Sequence, residues 1–144
     1  MSNFFPIVVD STNSIIKELP SGDTLDLTNS IIKTKDFEVT GAVYQNMNTS
    51  STTTFDLSVA SFFKVTLSAN LVISAINNAT ASMAQSFAIE VVNSGAYSIT
   101  WPGTVRWDGG TAPTLTENRT ILFMFYTTDG GTIFRGQVVM ETSY

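Results

Sequence analysis

Between Arg119 and Met140 the chain reads RTILFMFYTT, then DGG, then TIFRGQVVM: two runs rich in β-branched and aromatic residues joined by Asp129, Gly130 and Gly131. Glycine supplies a positive φ at little steric cost, so Asp-Gly-Gly between two such runs predicts a β-hairpin. Within it ILFMFY (121–126) is apolar on both faces, which puts this strand at the centre of a sheet or against a subunit interface. A hairpin with one strand buried on both sides cannot stand alone. It needs further strands, and the sequence before it supplies them.

FDLSV (55–59), FFKVTLSA (62–69), LVISAI (71–76), SFAIEVVN (86–93) and YSITW (97–101) have strand length and strand composition, separated by short polar turns. With the two hairpin strands they make seven. That number at such regular spacing predicts an all-β fold, a β-sandwich or jelly roll beginning near Thr53 and occupying residues 53–144. Helix is expected at most as a turn near ASMAQ (81–85). Composition agrees. Charged residues are 13% of the chain, well below the roughly 25% of ordinary soluble domains. Serine and threonine, about a quarter of the residues, keep the surface polar instead, and threonine suits strands with one face in water. At 144 residues one domain with an arm is the expected organisation. Packing is the role expected of Met83, Met124 and Met140.

The first part of the chain has a different character. PIVV (6–9), SIIKEL (14–19), TLDLTN (24–29), SIIKTKDFEVTG (30–41) and AVYQN (42–46) are short extended pieces interrupted by turn signals such as PSGD (20–23). About forty-five residues of this kind have little to fold back on. They are expected to form an extended N-terminal β-arm, residues 1–46, that pairs with neighbouring chains. A polar link, MNTSST at 47–52, follows it. Phe4, Phe5, Ile7, Val8, Ile15, Ile16, Leu25 and Leu27 are the residues expected to make those inter-subunit contacts, since a large apolar side chain left exposed forgoes ~1.5–3 kcal/mol.

Several function classes are excluded or disfavoured by what the chain lacks. It has no cysteine, hence no disulfide and no thiolate metal site, and the redox compartment is left open. It has no histidine, which excludes Ser–His–Asp chemistry and removes the commonest neutral metal ligand. The formal net charge is −5 and the seven Lys and Arg residues are scattered, against binding to a phosphate backbone, so no nucleic-acid partner is expected. No apolar run approaches the ~20 residues of a membrane span, and MSNFFPIVVDS lacks the basic start and long apolar run of a signal peptide. The chain is expected to be made and used without secretion signals, off the membrane. Asp108, Glu117 and Asp129 are the candidate acids for a glycosidase, but each stands alone in turn-type sequence, where acids cap or solvate. No alternating-acid calcium loop is present. A non-enzymatic protein without metal or cofactor is expected.

The stretch TWPGTVRWDGGTAPTL (100–115) holds both tryptophans. Two readings of it are open. In one, Trp101 ends a strand, Pro102-Gly103 turns the chain and Trp107 returns to cover the core, a structural corner. In the other, Trp101 and Trp107 are open stacking platforms, with Arg106 and Asp108 hydrogen-bonding a glycan.

In order along the chain, FDLSVASFFKVTLSANLVISAINN, the corner WPGTVRWDGGTAPTLT and the closing FMFYTTDGGTIFRG resemble a recurrent domain of tailed-bacteriophage virion proteins, found on tail fibres and capsid decoration proteins. The resemblance covers about residues 53–140, and IIKELPSGDTLDLTNS is similar to openings of phage structural proteins. It implies a β-sandwich that forms a homotrimer and is displayed on a virus particle, after synthesis in the host cytoplasm. The expected function is that of a capsid decoration (cement) protein whose arm holds the major capsid protein or other virion proteins. A chain this short, with room for one head and a short arm, favours that role over a fibre with a long shaft. The alternative is a tail-fibre or head-fibre module that binds a receptor or a host surface glycan.

Overall fold

The computed structural model describes residues 9–10, 15–16, 42–49 and 53–143. The chain divides into two units, Met1–Gly41 and Ala42–Tyr144. In the first, β1 (Val9–Asp10) pairs antiparallel with β2 (Ile15–Ile16), Val9 opposite Ile16 and Asp10 opposite Ile15. Of the expected contact residues Ile15 and Ile16 form β2, while Phe4, Phe5, Ile7, Val8, Leu25 and Leu27 lie outside the described residues.

The second unit is strand-rich. Its elements are β3 (Met47–Thr49), β4 (Thr54–Asp56), β5 (Phe62–Leu67), β6 (Leu71–Val72), β7 (Ala75–Asn77), β8 (Gln85–Asn93), β9 (Ile99–Thr100), β10 (Val105–Trp107), β11 (Arg119–Thr127) and β12 (Phe134–Ser143). The one helical element among the described residues is a 3₁₀ turn at Asp108–Gly110. The fold is therefore all-β. Six strands form one sheet in the order β10-β12-β11-β8-β5-β3, and β4–β7 and β6–β9 form two short ladders. β11 is a central strand, hydrogen-bonded to β12 on one side and β8 on the other.

Several local expectations are corrected. Ala42–Asn46, read as a strand, joins no ladder, whereas Met47–Thr49, read as polar link, is the edge strand β3, paired in parallel with β5. Pairing needs only backbone donors and acceptors, so a polar sequence is no bar to an edge position. LVISAI is split into β6 and β7, while ASMAQ is as expected free of helix, with turn and bend at 81–83 and Gln85 opening β8. VRW (105–107), read as loop, is β10, pairing parallel to the start of β12. The sheet is mixed: β5–β8, β3–β5 and β10–β12 are parallel, and β8–β11 and β11–β12 antiparallel.

Register sorts the side chains onto two faces, because neighbours along a strand point to opposite sides. On one face the rows Phe63–Ile89–Phe123, Val65–Val91–Ile121 and Phe87–Phe125–Gly136–Trp107 cross the sheet. All but Gly136 and Trp107 belong to one buried apolar cluster, which also takes in Phe55, Leu57, Ala60, Ile73 and Ile76 from β4, β7 and the connections beside them. Phe87 stacks on Phe125 with centroids 5.0 Å apart and planes 9° apart, and Phe134 meets Phe87 edge-on at 5.7 Å. On the other face the rows are Met47–Phe62–Ala88–Met124–Gln137, Thr49–Lys64–Glu90–Leu122–Met140 and Ser86–Tyr126–Arg135–Arg106. A bulge on β12 after Val138 keeps Met140 beside Leu122.

The hairpin turn is built as its glycines require. Gly130 (φ 69°) and Gly131 (φ 85°) both take left-handed backbone. The buried Thr127 hydroxyl donates to the Asp129 carboxylate at 2.9 Å and accepts from the Gly131 N–H at 3.0 Å. Asp129 in turn accepts from the Ile133 N–H at 3.0 Å. These bonds, led by the Ile133 N–H and joined by the charge of Arg135, hold the Asp129 carboxyl below the usual carboxylate range. A second carboxylate, Asp56, accepts from the Ser58 hydroxyl (2.6 Å), the Asn78 amide (2.8 Å) and the Ser58 N–H (2.9 Å), and its pKa is lowered by the same physics.

Candidate functional site

The tryptophan corner sits at the β10 edge of the sheet. Trp101 and Trp107 meet edge-to-face with centroids 5.0 Å apart. Trp101 lies 5.3 Å from Phe123 and 5.4 Å from Phe125, Trp107 5.6 and 5.5 Å from the same rings. Both indoles are half-buried and pack against the core cluster. Trp101 Nε1 is buried with no hydrogen-bond partner. Gly136 makes this arrangement possible: a Cβ there would stand 2.5 Å from Phe125 Cε1 and 3.1 Å from Trp107 Cζ3. Trp107 and Phe125 both lie across the ladder from Gly136, so the rings close over the space that a side chain would occupy.

Arg106 and Asp108, on either side of Trp107, have a different setting. Both are exposed and line a groove of about 660 Å³ on the face of the sheet opposite the core. Its floor is the row Ser86–Tyr126–Arg135–Arg106, four residues from β8, β11, β12 and β10, with Met124 and Gln137 from the next row. The Arg106 guanidinium donates through Nη1 to the main-chain carbonyls of Gly103 and Val105. The Arg135 guanidinium lies over the Tyr126 ring, 5.7 Å from its centroid, in cation–π geometry. A smaller recess of about 240 Å³ shares Trp107, Asp108 and Gln137 with the groove and extends toward Thr111, Pro113 and Val138.

Of the residues singled out in the sequence, Trp101 and Trp107 are together in one ring cluster, and Arg106, Trp107 and Asp108 together line one groove. Asp129 lies in the hairpin turn and Glu117 on an exposed turn; neither lines the groove. Sequence reading missed Ser86, Tyr126, Arg135 and Gln137. Part of that was recoverable: counting outward from Gly130-Gly131 in an antiparallel hairpin sets Tyr126 beside Arg135. The methionines also differ from expectation: Met83 and Met140 are exposed, and only Met124 is partly covered. Among the described residues no group of three or more acids is placed to hold a metal ion, and no helix is long and apolar enough to cross a membrane.

Comparison of this chain with protein-family models, with curated proteins and with solved structures gives no match.

Proposed function

We propose that this chain is a non-enzymatic structural protein of a tailed-bacteriophage virion, a homotrimeric capsid decoration protein that clasps the assembled shell. In this reading residues 1–46 are the extended arm that contacts the major capsid protein or other virion proteins. Residues 53–144 form a β-sandwich or jelly roll, with the six-stranded sheet, to which the link adds β3, as one layer and the ladders β4–β7 and β6–β9 as the other. Support for two layers comes from the single apolar cluster to which sheet and ladders both contribute.

The observation that carries the clasp is the exposure of apolar side chains at the start of the second unit. Val43 is 68% exposed, Tyr44 92% and Met47 56%. Exposed single apolar residues are ordinary, but three within five positions, on a segment that joins no ladder until Met47, suit a surface that another chain covers. Burial there, with strand addition to a neighbour's sheet edge, would make shell subunits harder to separate. The test uses the full-length chain carrying Val43→Asp and Tyr44→Asp. Occupancy on purified shells is expected to collapse while the melting temperature of the free protein is unchanged; undiminished occupancy refutes the clasp. Sedimentation equilibrium is expected to give the mass of a trimer, and a monomer refutes that part.

A second reading, a tail-fibre or head-fibre module that binds a host surface glycan, is favoured by one observation. The groove at the β10–β12 edge is lined by arginine, aspartate, tyrosine, glutamine and serine side chains on the sheet face that the core does not use.

A further inference from the structure

The groove carries an electrostatic oddity. Arg106 and Arg135 are register partners on neighbouring parallel strands, so two guanidinium groups leave the same face of the sheet side by side. Like charges directly opposite each other destabilise a ladder. Elsewhere on this face the same situation is resolved by charge pairing: Lys64 and Glu90, also register partners, form an ion pair at 2.7 Å. That is the only ion pair among the described residues, and neither arginine takes part in one. Both are nevertheless held, Arg106 by two main-chain carbonyls and Arg135 by the Tyr126 ring. The positive charge is thus concentrated and positioned at the floor of a concavity, with Asp108 on the same lining and Asp129 near enough to feel the charge of Arg135, but with no carboxylate in an ion pair with either guanidinium.

From this geometry we infer that the groove binds a carboxylate-bearing sugar, the acidic unit of a glycan such as a uronic or sialic acid, with its carboxylate bridging Arg106 and Arg135. Guanidinium forks match carboxylates in shape and charge. The remaining lining suits the rest of such a ligand. Asp108 accepts from hydroxyls, Ser86 and Gln137 both donate and accept, and Met124 and Tyr126 offer apolar surface to the C–H face of a ring. A carboxylate without hydroxyls, as on a glutamate side chain, leaves Asp108, Ser86 and Gln137 unused. The space of about 660 Å³ is in the range of small-ligand sites, and the adjoining recess gives a second unit somewhere to lie. An extended polyanion is opposed by the formal net charge of −5. The inference rests on the second reading above and narrows it.

Calorimetric titration of the full-length protein separates the possibilities, with five probes: N-acetylneuraminic acid, D-glucuronate, D-glucose, N-acetylglutamate amide and sodium sulfate. At least one of the acidic sugars is expected to bind saturably, with the other three at least about tenfold weaker. Arg135→Gln is expected to weaken that binding by about tenfold or more without moving the melting temperature, since Arg135 is exposed, and Arg135→Lys to restore only part of it. Arg106→Gln is expected to do the same; if it fails to fold for want of its main-chain bonds, Arg135→Gln carries the test. Equal binding of glucose overturns the acidic-sugar assignment while leaving a glycan module standing. Equal binding of N-acetylglutamate amide or sulfate reduces the site to a general anion site and overturns it too. No saturable binding of any sugar, or binding that ignores Arg135→Gln, ends the inference, and the former removes the observation behind the second reading.

Discussion

The two faces of the six-stranded sheet are made by the same strands and do opposite things. On β11, Ile121, Phe123, Phe125 and Thr127 point into the core and are buried, while Leu122, Met124 and Tyr126 point the other way and are partly or half exposed. On β12 the contrast is sharper still. Gly136 is a floor for two aromatic rings, and its neighbours Arg135 and Gln137 line an open groove. One face is closed by rings packed against rings, with no room for a methyl group at Gly136. The other keeps charge and hydrogen-bonding capacity available. The lesson is that a single residue step along a strand separates a ring-packing position from one whose side chain is open to the groove, even though Trp107, Phe125 and Gly136 border that groove too.

Substitutions on the two faces should therefore differ in size. Phe125→Ala removes a ring that touches Phe87, Trp101, Trp107 and Phe123. It is expected to cost about 3–5 kcal/mol in denaturant unfolding. A loss under about 1 kcal/mol would show that the core face is not what holds the fold. Next is Gly136→Ala, where the new Cβ meets Phe125 and Trp107, with an expected cost of about 1–3 kcal/mol. Its outer-face neighbour Gln137→Ala is expected to stay within about 0.5 kcal/mol, and equal effects at the two positions would abolish the distinction between faces.

A smaller effect is expected at the hairpin turn. The folded-state pKa values of Asp129 and Asp56 lie below ordinary ones, so in acid the unfolded chain binds more protons than the folded one. Their contribution is fully present above the unfolded value, near pH 4, and is lost as pH falls through the lowered folded values. Asp129→Asn is expected to flatten this acid limb of stability against pH, and an unchanged slope below about pH 4 would deny the carboxylate its role in the turn. Small too is the effect expected of Lys64→Ala. The Lys64–Glu90 pair is on the outer face with 39% and 24% of its side chains exposed, and is expected to contribute only about 0.2–1 kcal/mol, diminished by salt.

Much of the strand content was readable in advance, and for a physical reason. β5, β8, β11 and β12 overlap runs rich in β-branched and aromatic residues, and the Gly130-Gly131 turn announces itself because few residues adopt its backbone. Two short strands, β3 and β10, were hidden. β3 is polar, β10 is three residues inside what reads as a turn, and nothing in either marks it as a strand. Arg106 and Asp108 were singled out from the composition around the tryptophans. Ser86 was not, since its strand is far from theirs in the sequence, nor were Tyr126 and Arg135, although the hairpin turn sets those two side by side.

What the amino-acid order determined by itself is the class of structure and the course of the long strands, because propensity is a local property. Which strands became neighbours, and whether they ran parallel, was decided only in three dimensions. Every residue but proline carries the same backbone donor and acceptor, so the ladder has no side-chain code for its partner; the choice follows from which pairings bury the inward rings together. That choice set Arg106 next to Arg135, and with it the groove.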